Sequence, residues 1–72
     1  MNIFLLEDDE AIGIGLKYSL ENEGYSTTLA KSVSEALKII SVTDFSLYIL
    51  DLNLPDGSGY NVCKTIKSKG DF

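Results

Sequence analysis

Ile3-Phe4-Leu5-Leu6 is wholly apolar and too brief for a helix, which predicts a strand buried on both faces. An acidic cluster follows at once. From about Asp9 to Glu23, Ile12, Leu16 and Leu20 recur every four residues, predicting a helix whose acidic first turn suits the positive end of its dipole. Gly24 stands where a C-terminal cap belongs. Gly13 and Gly15 inside the helix each cost about 1 kcal/mol relative to alanine, so packing must carry it. Tyr25-Ser26-Thr27-Thr28-Leu29 reads as a second strand, polar enough for a sheet edge.

Ser32 and Glu35 have capping-box spacing, and Val33, Ala36, Leu37 and Ile40 then form one apolar stripe of a second helix. Within Phe45 to Leu50, the segment Leu47 to Leu50 predicts another buried strand, ending at Asp51. Leu54-Pro55-Asp56-Gly57-Ser58-Gly59 is dense in turn formers. Gly59, Val62, Cys63 and Ile66 occupy one face of a third helix ending near Gly70, so Cys63 is expected in the core. Tyr18 and Tyr60 are expected at the surface.

The alternation β-α-β-α-β-α with short connections is that of a doubly wound α/β sheet with parallel strands. Strands one and three are apolar and strand two is polar, which gives the lateral order 2-1-3. With strand three central and no fourth strand to lie beside it, the chain reads as the front part of a larger domain.

Composition narrows the function. Eleven acidic against six basic residues give a net charge of −5, unfavourable for nucleic acid or anionic lipid. One cysteine and no histidine exclude an internal disulfide and make zinc improbable. No apolar run is long enough for a signal peptide or a membrane span, and a cytoplasmic location is expected.

In the order 2-1-3 the topological switch point lies between strands one and three, where open α/β sheets bind ligands beyond the strands' carboxyl ends. Glu7 and Asp8 follow strand one and Asp51 follows strand three, so three carboxylates converge there. A cation must offset their repulsion, and an all-oxygen donor set favours magnesium. Taken singly, the acidic run is an ordinary helix start and Asp51 an ordinary turn cap; the weight lies in their juxtaposition. Two other motifs fail. Asp51-Leu52-Asn53 with Asp56-Gly57 superficially matches a calcium loop, yet its fifth and twelfth positions are Pro55 and Val62. Gly13-Ile14-Gly15 lies well inside a helix and has Tyr18 where a dinucleotide fingerprint needs a third glycine.

From Ile3-Phe4-Leu5-Leu6-Glu7-Asp8-Asp9-Glu10 through Asp51-Leu52-Asn53-Leu54-Pro55-Asp56-Gly57-Ser58-Gly59, the chain resembles the receiver domain of two-component response regulators. The resemblance covers essentially all of residues 1–72 and implies a truncated receiver: a partial flavodoxin-like (CheY-like) sheet lacking the last two β-α units. It implies that Asp51 is the phosphoacceptor, that Glu7, Asp8, Asp51 and the Asn53 carbonyl hold Mg2+, and that a sensor histidine kinase is the partner. In a complete protein it implies an effector domain, DNA-binding by analogy with transcriptional regulators. Absent are the Ser or Thr after strand four and the Lys after strand five; Lys64, Lys67 and Lys69 cannot replace that Lys by position. Pro55 and Gly57 would shape the loop beyond Asp51.

The alternatives are a receiver-like interaction module that works without phosphorylation and a Mg2+-dependent phosphatase. The phosphatase normally carries its two aspartates two residues apart after strand one, unlike the isolated Asp51. Self-association is also expected: the outer edge of strand three, Leu47 to Leu50, would be left to pair with a second copy.

Overall fold

The computed structural model describes residues 1–51, 53–54 and 57–69. Strand β1 (Asn2–Leu6) leads to helix α1 (Glu10–Asn22), β2 (Ser26–Ala30), α2 (Val33–Val42) and β3 (Leu47–Leu50). A short hairpin, β4 (Asn53–Leu54) and β5 (Gly57–Ser58), precedes helix α3 (Gly59–Lys69). The three long strands are parallel in the order β2-β1-β3. The predicted architecture and lateral order hold, with β2 displaced by one residue from its expected start. The turn-rich stretch after Asp51 contains the antiparallel β4-β5 pair, which composition alone did not resolve. Leu52, Pro55, Asp56 and Gly70, which the sequence reading used for the loop and the helix end, lie outside the described residues.

Helix boundaries follow the local signals. The Asp9 side chain accepts from the Ile12 N–H at 3.0 Å, and the Ser32 hydroxyl accepts from the Glu35 N–H at 3.2 Å, each satisfying an orphan donor. Gly24 ends α1 with φ +95°, a conformation that glycine adopts without steric cost. Helix α2 has no basic residue in its own last turn. Lys69 of α3 supplies the charge instead, donating to the carbonyls of Ile40 and Thr43 while pairing with Asp44 at 2.9 Å.

The core lies between the sheet and the α2-α3 layer. Phe4 and Leu6 from β1 meet Ala36 and Ile40 of α2 and Val62 and Ile66 of α3, with Tyr48 and Leu50 of β3 packed alongside. Phe4, Phe45 and Tyr48 form a tilted aromatic cluster with ring centroids 5.2 to 6.0 Å apart. Ile3 and Leu5 point to the opposite face and are buried as well, so β1 is covered on both sides as its apolar run predicts.

Two expectations about burial fail. The stripe Ile12-Leu16-Leu20 was expected to face the sheet, but Ile12 and Leu16 are exposed and only Leu20 is half-buried. The buried line is Gly13-Lys17-Leu20, because α1 meets β2 at Gly13: a Cβ placed there would lie 3.1 Å from both Leu29 methyls. Glycine, having no side chain, lets the helix backbone approach closely and rotates the contact by one position. Helix α1 packs on β2 and β1, and Leu47 and Ile49 of β3 are 43% and 37% exposed. Strand β3 is thus half-buried, with alternate residues inside, where a buried strand was expected. Cys63 is half-buried and lines a groove between β3 and α3, so it borders the core without belonging to it.

Candidate metal and phosphoacceptor site

The first residue after β1 and the first after β3 are held by the sheet itself. Glu7 N–H donates to the Ala30 carbonyl at 3.0 Å and Asp51 N–H donates to the Leu6 carbonyl at 2.9 Å, continuing the parallel ladders one residue past β1 and β3. Their positions are consequently set by backbone pairing. Asp9, as the cap of α1, fixes the turn that carries Asp8, and its N–H donates to Glu7 Oε1 at 3.3 Å.

Glu7, Asp8 and Asp51 each offer a carboxylate oxygen within 4.8 Å of the others. Glu7 and Asp51 are half-buried and Asp8 is exposed, so the cluster opens to solvent on the Asp8 side. Partial burial pushes the Glu7 carboxyl above its usual pKa; the Asp9 N–H opposes this, while the charges of Asp51 and Asp8 and a hydrogen bond with the Asp51 carboxyl reinforce it. A divalent cation relieves that accumulation of negative charge directly. The donors are all hard oxygens, so the residues fit a magnesium site.

The structure brings together the three acidic residues singled out from the sequence. Asn53, the fourth, opens β4 two residues beyond Asp51, paired across the hairpin with Ser58. Tyr18 and Tyr60 are surface residues, as expected. The sequence reading missed the ion pair between Lys31 and Glu10 at 3.4 Å, which links the residue after β2 to the start of α1. Only a contact between positions 21 apart reveals it, so no local pattern could have shown it.

Comparison with known proteins accords with this geometry. The chain is 34% identical over 67 residues to the cell cycle response regulator CtrA of Brucella ovis, which covers 93% of this chain and 29% of that protein. Among solved structures it resembles the non-phosphorylated HemR receiver domain of Leptospira biflexa, with a TM-score of 0.89 and 43% identity over 94% of this chain and 55% of that one. It also resembles the response regulator TrrA of Thermotoga maritima in complex with Mg2+-BeF, with a TM-score of 0.87 and 35% identity over 94% and 59%. TrrA in complex with the histidine kinase ThkA matches with a TM-score of 0.85. The chain thus spans somewhat over half the length of these solved chains and under a third of the CtrA protein. Residues 3–71 match the response regulator receiver domain, and with the parallel β2-β1-β3 sheet and its acidic crevice this means that the chain belongs to the response regulator receiver family.

Proposed function

We propose that residues 1–72 form the phosphoacceptor portion of a receiver, with Asp51 accepting a phosphoryl group from a sensor histidine kinase in a Mg2+-dependent reaction. The observation that carries this reading is the convergence of Glu7, Asp8 and Asp51 within 4.8 Å at the carboxyl ends of β1 and β3. A carboxylate oxygen of Asp51 forms the bond to phosphorus as the phosphorus–nitrogen bond of the donor phosphohistidine breaks, and the imidazole nitrogen retains the electron pair. No general base is required, since attack by a carboxylate oxygen releases no proton.

Glu7, Asp8 and Asp51, together with the Asn53 carbonyl, would hold the metal. Bound there, magnesium would offset the charge that develops on the transferring group. Backbone pairing at Asp51 N–H keeps the acceptor fixed during the attack. TrrA has been solved with Mg2+-BeF and with a histidine kinase, which supports both the ion and the partner class.

The greater length of the CtrA relative supports an effector domain, DNA-binding by the same analogy, in a longer protein. No helix among the described residues is long and apolar enough to cross a membrane, and the proposed location is the cytoplasm. The net charge of −5 disfavours direct nucleic-acid contact by these residues. Asp51→Asn keeps the shape and removes the nucleophilic oxygen, so incubation with a labelled small acyl phosphate and Mg2+ should label the wild type and not the variant. Equal labelling of the two would place the acceptor elsewhere.

A further inference from the structure

Four acidic residues follow one another after β1, Glu7-Asp8-Asp9-Glu10, and the fold puts them to different uses. Glu7 and Asp8 bring a carboxylate oxygen each into the group that Asp51 completes. Glu10 pairs with Lys31 at 3.4 Å. Asp9 is engaged through backbone and side chain alike: its Oδ1 accepts from the Ile12 N–H at 3.0 Å, its carbonyl accepts from the Gly13 N–H at 2.8 Å, and its own N–H donates to Glu7 Oε1 at 3.3 Å. The first two bonds hold Asp9 in the extended geometry of a helix cap, with φ −76° and ψ 112°. The third passes that fixity on to Glu7.

We propose that Asp9 is a positioning residue for the metal site, its side chain capping α1 so that its N–H is held where it orients the Glu7 carboxylate toward Asp8 and Asp51. The inference rests on the Mg2+ reading given above and adds to it a residue outside the Glu7-Asp8-Asp51 group.

The need for such a residue lies in the Glu7 side chain, which is long and rotatable. Ladder pairing at its N–H fixes the Glu7 backbone and leaves the carboxylate to be placed by other means. Helix α1 bounds the stem on one side, where a Cβ at Gly13 would stand 3.7 Å from the Glu7 Cβ. The Asp9 N–H acts on the carboxylate itself. At 3.3 Å, and open to water, that hydrogen bond is long, so it orients Glu7 only while its donor is kept still. Without the Oδ1 bond to Ile12, the first turn of α1 frays and the donor turns with it. Loss of a partner that orients a metal ligand weakens metal affinity by about 10–100-fold, and an exposed partner belongs at the low end of that range.

Calorimetric titration of the 72-residue chain with Mg2+ tests this. Asp9→Asn and Asp9→Ser keep a side-chain oxygen for the cap, whereas Asp9→Ala and Asp9→Gly remove it. All four remove the same charge, so the loss of charge cancels when the two pairs are compared. The Asn and Ser variants should bind Mg2+ within about twofold of each other, and the Ala and Gly variants about 5–10-fold more weakly. Glycine is tolerated at a cap far better than alanine, so Asp9→Gly keeps the comparison available if Asp9→Ala does not fold. Ser32→Ala removes the corresponding cap from α2, on the opposite face of the sheet from α1, and should leave Mg2+ affinity at the wild-type value. Circular dichroism checks that each variant is folded at the temperature of the titration. The two ways of failing are distinct. A wild type that does not bind Mg2+, or that binds it equally well as Asp51→Asn, removes the metal site and this inference with it. Binding that Asp51→Asn abolishes, but that Asp9→Ala and Asp9→Gly retain as well as Asp9→Asn and Asp9→Ser, keeps the site and overturns the role of Asp9, as would an equal weakening by Ser32→Ala.

Discussion

Gly13 and Gly15 lie two residues apart in one helix and should respond oppositely to the same substitution. Alanine in place of glycine in a helix interior contributes about 1 kcal/mol through backbone entropy. At Gly15 a Cβ meets nothing within 4 Å, so Gly15→Ala should realise that gain, raising the melting temperature by ~4–8 °C for a domain of this size. At Gly13 the Cβ would lie 3.1 Å from both methyls of Leu29, tighter than most packed Cβ contacts. Leu29 or the helix must move, and overpacking of this kind costs about 1–3 kcal/mol. Gly13→Ala should therefore be neutral to destabilising by about 2 kcal/mol. The helix that would lift is the one capped by Asp9, whose N–H contacts Glu7, so the variant should also weaken divalent-ion binding, which Gly15→Ala leaves unchanged. Urea denaturation of both variants, with a Mg2+ titration of each, measures the contrast. Equal stabilisation by the two alanines would refute the close approach of α1 to β2.

Asp8→Asn should lower Mg2+ affinity about tenfold yet leave the metal-free chain as stable or slightly more so, because like charges are relieved; for the wild type, Mg2+ at ten times its Kd should add ~1.4 kcal/mol of stability, read from thermal melts. The raised Glu7 pKa means that the folded chain holds this proton more tightly than the unfolded chain, so without metal a stability penalty sets in as pH rises through the window above the ordinary Glu value and is absent below it; Mg2+ affinity should change in the opposite sense, increasing over the same window, which calorimetry at a series of pH values would follow. Lys69→Met keeps the aliphatic stem but removes the donor to the Ile40 and Thr43 carbonyls, and chemical denaturation should show a loss of about 1 kcal/mol, with the highly exposed Asp44 contributing little of it.

The element order, the strand order and the acidic trio were legible because each rests on a local signal: the apolar run of β1, the polar run of β2, the caps at Ser32 and Gly24, and acids placed directly after strands. The orientation of α1 was not. A stripe of Ile12, Leu16 and Leu20 is the stronger hydrophobic signal, yet a glycine can bury a helix face simply by allowing the backbone close, and hydropathy gives that no weight. The half-burial of β3 escaped for a similar reason: an apolar strand reads as covered, but coverage depends on where the helices lie. The capping of α2 by Lys69 joins elements whose contact is settled only by the tertiary packing of α2 on α3.

Central placement of β1 also sets an order of events during folding. Ile3 pairs with Thr27, 24 residues further on, and with Leu47, 44 residues further on. Closing the longer loop costs about 0.5 kcal/mol more chain entropy, and it requires α2 and its connections to be laid down in between. The β1-β2 ladder and α1 can therefore form while Asp51 is still distant from Glu7 and Asp8. The acidic crevice is completed by the most non-local pairing in the sheet, which makes ion binding a reporter of the final closure and draws the late, fully paired ensemble forward whenever the ion is present.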